Sequence, residues 1–176
     1  MVKRFYKTLS VNNFRKTSMA TNSRHLALEI IGRLAKNEKI ESFAAELQNN
    51  LQESSEQFLW KTLNKHLDKR DLENEFRSAW MFVLRKNTPS EAHYHPNSTQ
   101  YTAIIKGDGT CEIGGEKITL QKFDPSMITT LYVIDQGVSH EFFPGDEDLV
   151  VLSLHTVAPE ELIEINCSLD KKRNYQ

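Results

Sequence analysis

Cysteine is scarce. The two present, Cys111 and Cys167, stand far apart with no C-x-x-C partner, which excludes a disulfide framework or a zinc ribbon and agrees with a reducing, intracellular setting. Long apolar runs are missing too: nothing approaches the ~20 residues a membrane helix requires, and no secretory h-region is present. A soluble protein with no membrane partner is expected, most simply in the cytoplasm. A basic stripe is likewise absent, and 22 Lys and Arg against 24 Asp and Glu leave a net charge of -2. The clustered positive charge that dominates nucleic-acid affinity has no footprint here, so no nucleic-acid partner is expected. No self-similarity at a solenoid period is evident.

What is present divides by periodicity. The first 28 residues hold Lys3, Arg4, Lys7, Arg15, Lys16 and Arg24 and no acid before Glu29. That is the composition of an organelle transit peptide, but without a clear amphipathic helix it is read as a flexible basic segment over residues 1–22, with Met19 as an alternative start. Residues 23–75 are expected to form a helical extension. Leu26, Ile30, Ile31 and Leu34 make one stripe at helical spacing, and Ile40, Phe43, Ala44, Leu47 and Leu51 make a second. A third helix is expected from Ser54, which can cap with Gln57 reaching back, to near Lys69, with Leu59, Trp60, Leu63 and Leu67 as its apolar face. These helices have three uses open to them: packing on the main domain, pairing two copies, or contacting another protein.

From Ser78 the period becomes that of strands. Trp80 to Leu84 is an apolar run suited to a strand buried on both faces. Tyr101 to Lys106, Thr110 to Ile113, Lys117 to Gln121, Met127 to Ile134, Glu141 to Phe143 and Leu149 to His155 follow, punctuated by Asp-Gly, Gly-Gly, Asp-Pro, Gln-Gly and Pro-Gly-Asp turns. Short strands at this spacing suit a mainly β double-sheet jelly roll over residues 76–165, with a polar tail over 166–176.

Within that region His93 and His95 are two apart, so on a strand both point to one face and can grip one ion. Gln100 follows, then Gly107, and His140 sits three residues after Gly137. The spacing H-x-H-x4-Q-x6-G, with Gly137 and His140 as a second motif, resembles the cupin superfamily over roughly residues 78–163. Gln100 stands where that family usually has a glutamate, Asp135 where the second motif has proline, Pro144 where an asparagine often follows, and Phe123-Asp124 where many members have Gly-Asp. The resemblance implies a double-stranded β-helix with an N-terminal helical extension. It also implies one divalent transition metal held by His93, His95 and His140, with Gln100 as a fourth ligand or just behind them.

Three neutral imidazoles and a carboxamide leave the ion its full +2 charge, so a small anionic or enolisable substrate is expected. Donor sets of three histidines without a carboxylate resemble the thiol dioxygenases of the superfamily, and favour Fe(II) and a dioxygenase. Zn, Mn or Ni in a redox-neutral isomerase or lyase acting on a sugar acid or carbonyl compound is the alternative, as is a cupin that binds a small ligand without turnover. A homodimer is also implied.

Parity places Thr102 and Ile104 on the face of Gln100, and Val138 and Phe142 on that of His140, while Tyr94 and Tyr101 face away. His155, closing its strand on the face of Ser153 and Val151, is the candidate catalytic base, with a surface position at a strand end as the other reading. Glu91 and Glu141 read as solvated groups or as groups that orient a histidine. Cys111 reads as a buried structural thiol.

Overall fold

The computed structural model describes residues 22–68, 71–72, 75–168 and 172–174. Residues 1–21, and with them nearly all of the basic segment, lie outside the described residues. The first helix, α1, covers residues 22–34 and buries Ala27, Ile30, Ile31 and Leu34. Each of its large aliphatic side chains removed from water contributes roughly 1.5–3 kcal/mol, which is what docks so short a helix. A three-residue link leads to α2, Glu38–Gln52. Asn37 caps it by accepting from the Lys39 amide at 3.0 Å, and Glu38 and Glu41 lie in the first turn against the positive end of the dipole. Its buried stripe is Ile40, Leu47 and Leu51.

The α2 C-terminus is tied down from another element. The Arg85 guanidinium donates from Nη2 to the Leu51 and Ser54 carbonyls at 2.5 and 2.8 Å and from Nε to the Glu56 carbonyl at 3.0 Å. These carbonyls lie at and just past the helix end, where acceptors have no intrahelical donor.

The helix expected from Ser54 does not form. The chain instead makes β1, Phe58–Thr62, then a short 3-10 turn at Asn64–His66. Ser54 Oγ accepts from the Glu56 amide at 3.3 Å, a local turn rather than a helix cap. Tertiary structure overrides the local period. β2, Ser78–Leu84, needs a partner on its outer edge, and β1 supplies five ladder positions from Phe58↔Leu84 to Thr62↔Trp80. Phe, Trp and Thr suit that pleated surface, and the Trp60 and Trp80 rings lie 5.5 Å apart.

The remaining strands are β3 His93–Tyr94, β4 Gln100–Lys106, β5 Gly109–Ile113, β6 Glu116–Thr119, β7 Leu131–Ile134, β8 His140–Pro144, β9 Leu149–His155, β10 Ile163–Asn166 and β11 Lys172–Asn174. The strand expected from Met127 begins only at Leu131, because Ile128–Thr130 is a 3-10 turn closed by Thr130 Oγ1 donating to the Asp124 and Met127 carbonyls. Two antiparallel sheets result, in the orders β1-β2-β9-β4-β7 and β11-β10-β3-β8-β5-β6. Residues 172–174 of the expected tail pair with β10.

Alternation along the strands of the first sheet sets two cores. Ala79, Met81, Val83, Tyr101, Ala103, Val150, Leu152 and Leu154 face outward and are covered by α1 and α2. Leu84, Ile104, Tyr132, Ile134, Leu149 and Val151 face inward and meet Cys111 and Phe142 of the second sheet. The helices therefore pack on the outside of the β-structure. Among the described residues, no helix is long and apolar enough to cross a membrane.

Candidate metal centre

β3 is short, but it fixes the register of the site. His93 lies opposite His140 of β8 on one side and Asn166 of β10 on the other, and Tyr94 lies opposite Ile165. With Tyr94 pointing away, His93 and His95 share the interior, as their spacing requires. Gln100 enters from the opposite sheet, where it is paired in register with His155.

The loop before β3 is built to aim the first histidine. Glu91 has φ +70°, a left-handed conformation that costs a non-glycine residue about 1–3 kcal/mol. Its carboxylate accepts from Asn166 Nδ2 at 2.7 Å, and its carbonyl faces His93 Nδ1 at 3.0 Å. The other two histidines are held in the same way: His95 Nδ1 lies 2.9 Å from the Ile163 carbonyl and His140 Nδ1 lies 3.3 Å from the Val138 carbonyl. A carbonyl only accepts, so each Nδ1 carries the proton and each Nε2 presents a lone pair. The ligating atoms of His93, His95 and His140 all lie within 4.8 Å of one another. The ring centroids are 4.2 Å apart for His93 and His140, 5.4 Å for His93 and His95, and 5.5 Å for His95 and His140.

The environment keeps the His95 and His140 rings neutral. Burial, with the neighbouring His93 second, lowers the His95 pKa to about 4. Burial likewise pushes His140 well below 6.5, followed by the charges of His93 and His95. A neutral imidazole is the ligating form, so nothing need be displaced before a cation binds. His140 Nε2 and Gln100 Oε1 are buried with no hydrogen-bond partner among the described residues. Gln100 Nε2 is committed to Thr102 Oγ1 at 2.8 Å and Ser153 Oγ at 3.2 Å, which leaves Oε1 as its open end, beside His95. Orphaned buried acceptors around three convergent lone pairs form a donor set that a divalent transition metal fits.

These groups open into a pocket whose other walls are Phe58, Phe82, Leu84, Phe142, Val151, Ser90 and Glu164. Its volume of about 40 Å³ admits a few water-sized groups beside an ion, each needing roughly 10–15 Å³. Of the expected lining, Phe142 is present, Thr102 is spent on Gln100 and Ser153, and Ile104 and Val138 belong to the inter-sheet core. Tyr101 faces the helices, with its ring 5.0 Å from Phe76. Cys111 is fully buried and its thiol is pushed up to about 12 by desolvation, which makes it inert.

His155 is not on the surface; it is 0 % exposed. Its ring packs edge-on to His95 at 5.0 Å, behind the pocket wall, and its Nδ1 lies 3.2 Å from Ser98 Oγ. Sequence reasoning missed Glu164. It is 5 % exposed on β10, lines the pocket, and places Oε2 3.6 Å from His93 Nε2. The signal was an inverted alternation, Ile163-Glu164-Ile165-Asn166, in which the polar residues are the buried ones.

Two antiparallel sheets closing round three convergent imidazoles define a double-stranded β-helix whose histidine cluster could hold a metal ion. The family model of the cupin domain matches residues 80–155, and the chain carries a cupin domain over that stretch. No curated protein matches it in sequence. Similar solved structures include the oxalate decarboxylase of Lactobacillus farciminis, 17% identical with a TM-score of 0.51 over 65% of this chain and 32% of that one. The 11S globulin of Wrightia tinctoria is 16% identical with a TM-score of 0.50, over 64% and 28% of the two chains. KdgF from a Halomonas species is 17% identical with a TM-score of 0.45, over 58% of this chain and 82% of that one. At such identities the likeness is one of fold alone, and this chain spans about a third or less of the first two proteins.

Proposed function

We propose that this cupin is a metal-dependent enzyme, a dioxygenase of a small organic substrate, in which His93, His95 and His140 hold one divalent ion through Nε2 and Gln100 adds Oε1. The observation that carries the reading is the set of three Nδ1 atoms tied to backbone carbonyls, which turns all three Nε2 lone pairs to one point. When bound, such an ion supplies Lewis acidity and, as Fe(II), redox chemistry with oxygen. The chain's own residues do the rest. Phe58, Phe82, Leu84, Phe142 and Val151 exclude water around the ligands. The neutral imidazoles and carboxamide favour an anionic or enolisable substrate, and the narrow pocket admits only its reacting end.

His155 enters this reading indirectly. It lies behind His95 and across the ladder from Gln100, and its Nε2 bonds to neither, so in this reading it would support the ligands by packing instead of touching substrate. The reading also includes a homodimer, for which light scattering at the mass of one chain is the contrary result.

The test is elemental analysis of protein purified without a polyhistidine tag or added metal, beside His140→Ala. Near-stoichiometric iron lost in the variant, with oxygen uptake on a panel of thiols, diketones and phenolics, is expected. Iron-loaded protein that consumes no oxygen with any of them ends the dioxygenase assignment. Zinc, manganese or nickel in place of iron redirects it to redox-neutral isomerisation or lysis, and no metal in either protein leaves a ligand-binding cupin.

A further inference from the structure

Charge is the unsolved matter at this site. Three neutral imidazoles and a carboxamide offer an ion no negative partner, yet the pocket around them is walled mainly by Phe, Leu and Val side chains. An uncompensated +2 charge in such surroundings is costly, and a carboxylate beside it relieves the cost.

The nearest carboxylate belongs to a strand that takes no part in either cupin motif. β10 lies beside β3 with Ile165 opposite Tyr94 and Asn166 opposite His93. One position on, Glu164 is level with His95, and parity turns it to the same interior. Its carboxylate lines the pocket with the three histidines, is nearly buried, and lies 3.6 Å from His93 Nε2. Two donors of one ion in a tetrahedral set, each ~2.1 Å from it, stand roughly 3.4 Å apart. The separation from His93 is close to that of two donors of one cation, while Glu164 stands at the edge of the three histidines whose ligating atoms lie within 4.8 Å of one another.

We infer that Glu164 is the anionic member of the metal centre: a carboxylate brought from β10 supplies the charge that Gln100 leaves out on β4. The inference rests on the metal-site reading above and adds a residue to it. It also narrows the substrate, because the carboxylate brings the net charge of the loaded centre to +1 and favours a monoanion over a dianion.

The experiment uses Co(II) alone as probe, with binding followed by its d–d absorption and by chelator competition at neutral pH, so that no activity is needed. Glu164→Gln keeps the shape and removes the charge, and it is expected to weaken Co(II) binding about tenfold to a hundredfold. Gln100→Glu combined with Glu164→Gln returns the charge from the other sheet, and is expected to recover binding to within about threefold of the unaltered chain. Glu164→Asp keeps the charge but withdraws it by one methylene; binding between that of the unaltered chain and that of Glu164→Gln is expected, and this variant gives a second readout should Glu164→Gln not fold. Unaltered Co(II) affinity in Glu164→Gln, or no recovery in the double variant, overturns the assignment of Glu164 alone. An unaltered chain that binds no Co(II), Zn(II) or Fe(II) overturns the metal site and Glu164 with it.

Discussion

Gln100 and His155 face each other across the ladder between β4 and β9, and each ends in a buried atom, Oε1 and Nε2, with no hydrogen-bond partner among the described residues. The Ser98 hydroxyl donates to the Thr99 carbonyl and accepts from the Thr156 amide, so His155 Nδ1 is the donor in their contact and Nε2 is a bare lone pair. Two interior acceptors without a donor are stable only if something cationic or hydrated stands near them.

Replacing Gln100 by leucine tests that statement. The Thr102 and Ser153 hydroxyls, 3.0 Å apart, still bond to each other, so the metal-free protein should lose no more than about 1–2 kcal/mol. Metal affinity should fall about tenfold. Thermal melts of the metal-free protein and metal titrations, run side by side, separate the two effects.

Acid should unfold the protein from the site outward. His95 is lowered to about 4, and His140 and His155 well below 6.5, in each case chiefly by burial. Between those values and 6.5 the unfolded chain binds protons that the folded chain refuses, so stability falls as pH drops through that window and is level above it, as far as these groups decide. Urea midpoints from pH 4.5 to 8 check this. A midpoint as high at pH 5 as at pH 7.5 would contradict neutral buried imidazoles.

Arg85→Ala removes all three bonds to the carbonyls of Leu51, Ser54 and Glu56. A cost of about 1–2 kcal/mol is expected, discounted for the partial exposure of the guanidinium. Hydrogen exchange should rise at the C-terminal turn of α2 and at β1. Arg85→Lys should recover only part of the loss, because an ammonium cannot reproduce the planar fork.

The two motif glycines should respond unequally to alanine. Gly107 has φ +83°, and a Cβ there would lie 2.6 Å from the Asp148 carbonyl oxygen. Gly137 has φ +78° with open space around the added atom. Gly137→Ala should cost about 1 kcal/mol for its conformation, while Gly107→Ala adds a backbone clash and should cost at least about 2 kcal/mol. Denaturant midpoints rank the pair, and equal losses would count against the close approach of β4 to Asp148.

The spacing of His93, His95, Gln100 and His140 was legible because strands convert interval directly into side. The same parity put Tyr101 outside and Phe142 inside. It failed where a local pattern fitted two structures. Leu59, Trp60 and Leu63 match a helical stripe, but Phe58 to Thr62 also match an edge strand, and only the presence of β2 decides between them. Glu164 was hidden for a related reason. No strand is expected past His155, and in β10 the apolar Ile163 and Ile165 are the partly exposed residues while Glu164 and Asn166 are buried, because the interior at this end of the molecule is a polar site. His155 was ambiguous because a strand end can be the rim of a sheet or its floor, and the residues that bury its ring, His95, Trp80 and Ser98, come from distant parts of the sequence.

The layer formed by α1 and α2 has a bearing on self-association. It occupies the outward face of the five-stranded sheet, so a second copy meeting that face would encounter helices and not strands. Among the described residues, a twofold pair built from these chains has the six-stranded sheet, the strand edges and the helices themselves to join through. The last arrangement would place the partner beyond both the helix layer and the five-stranded sheet from His93, His95 and His140, and each centre would work as a private one.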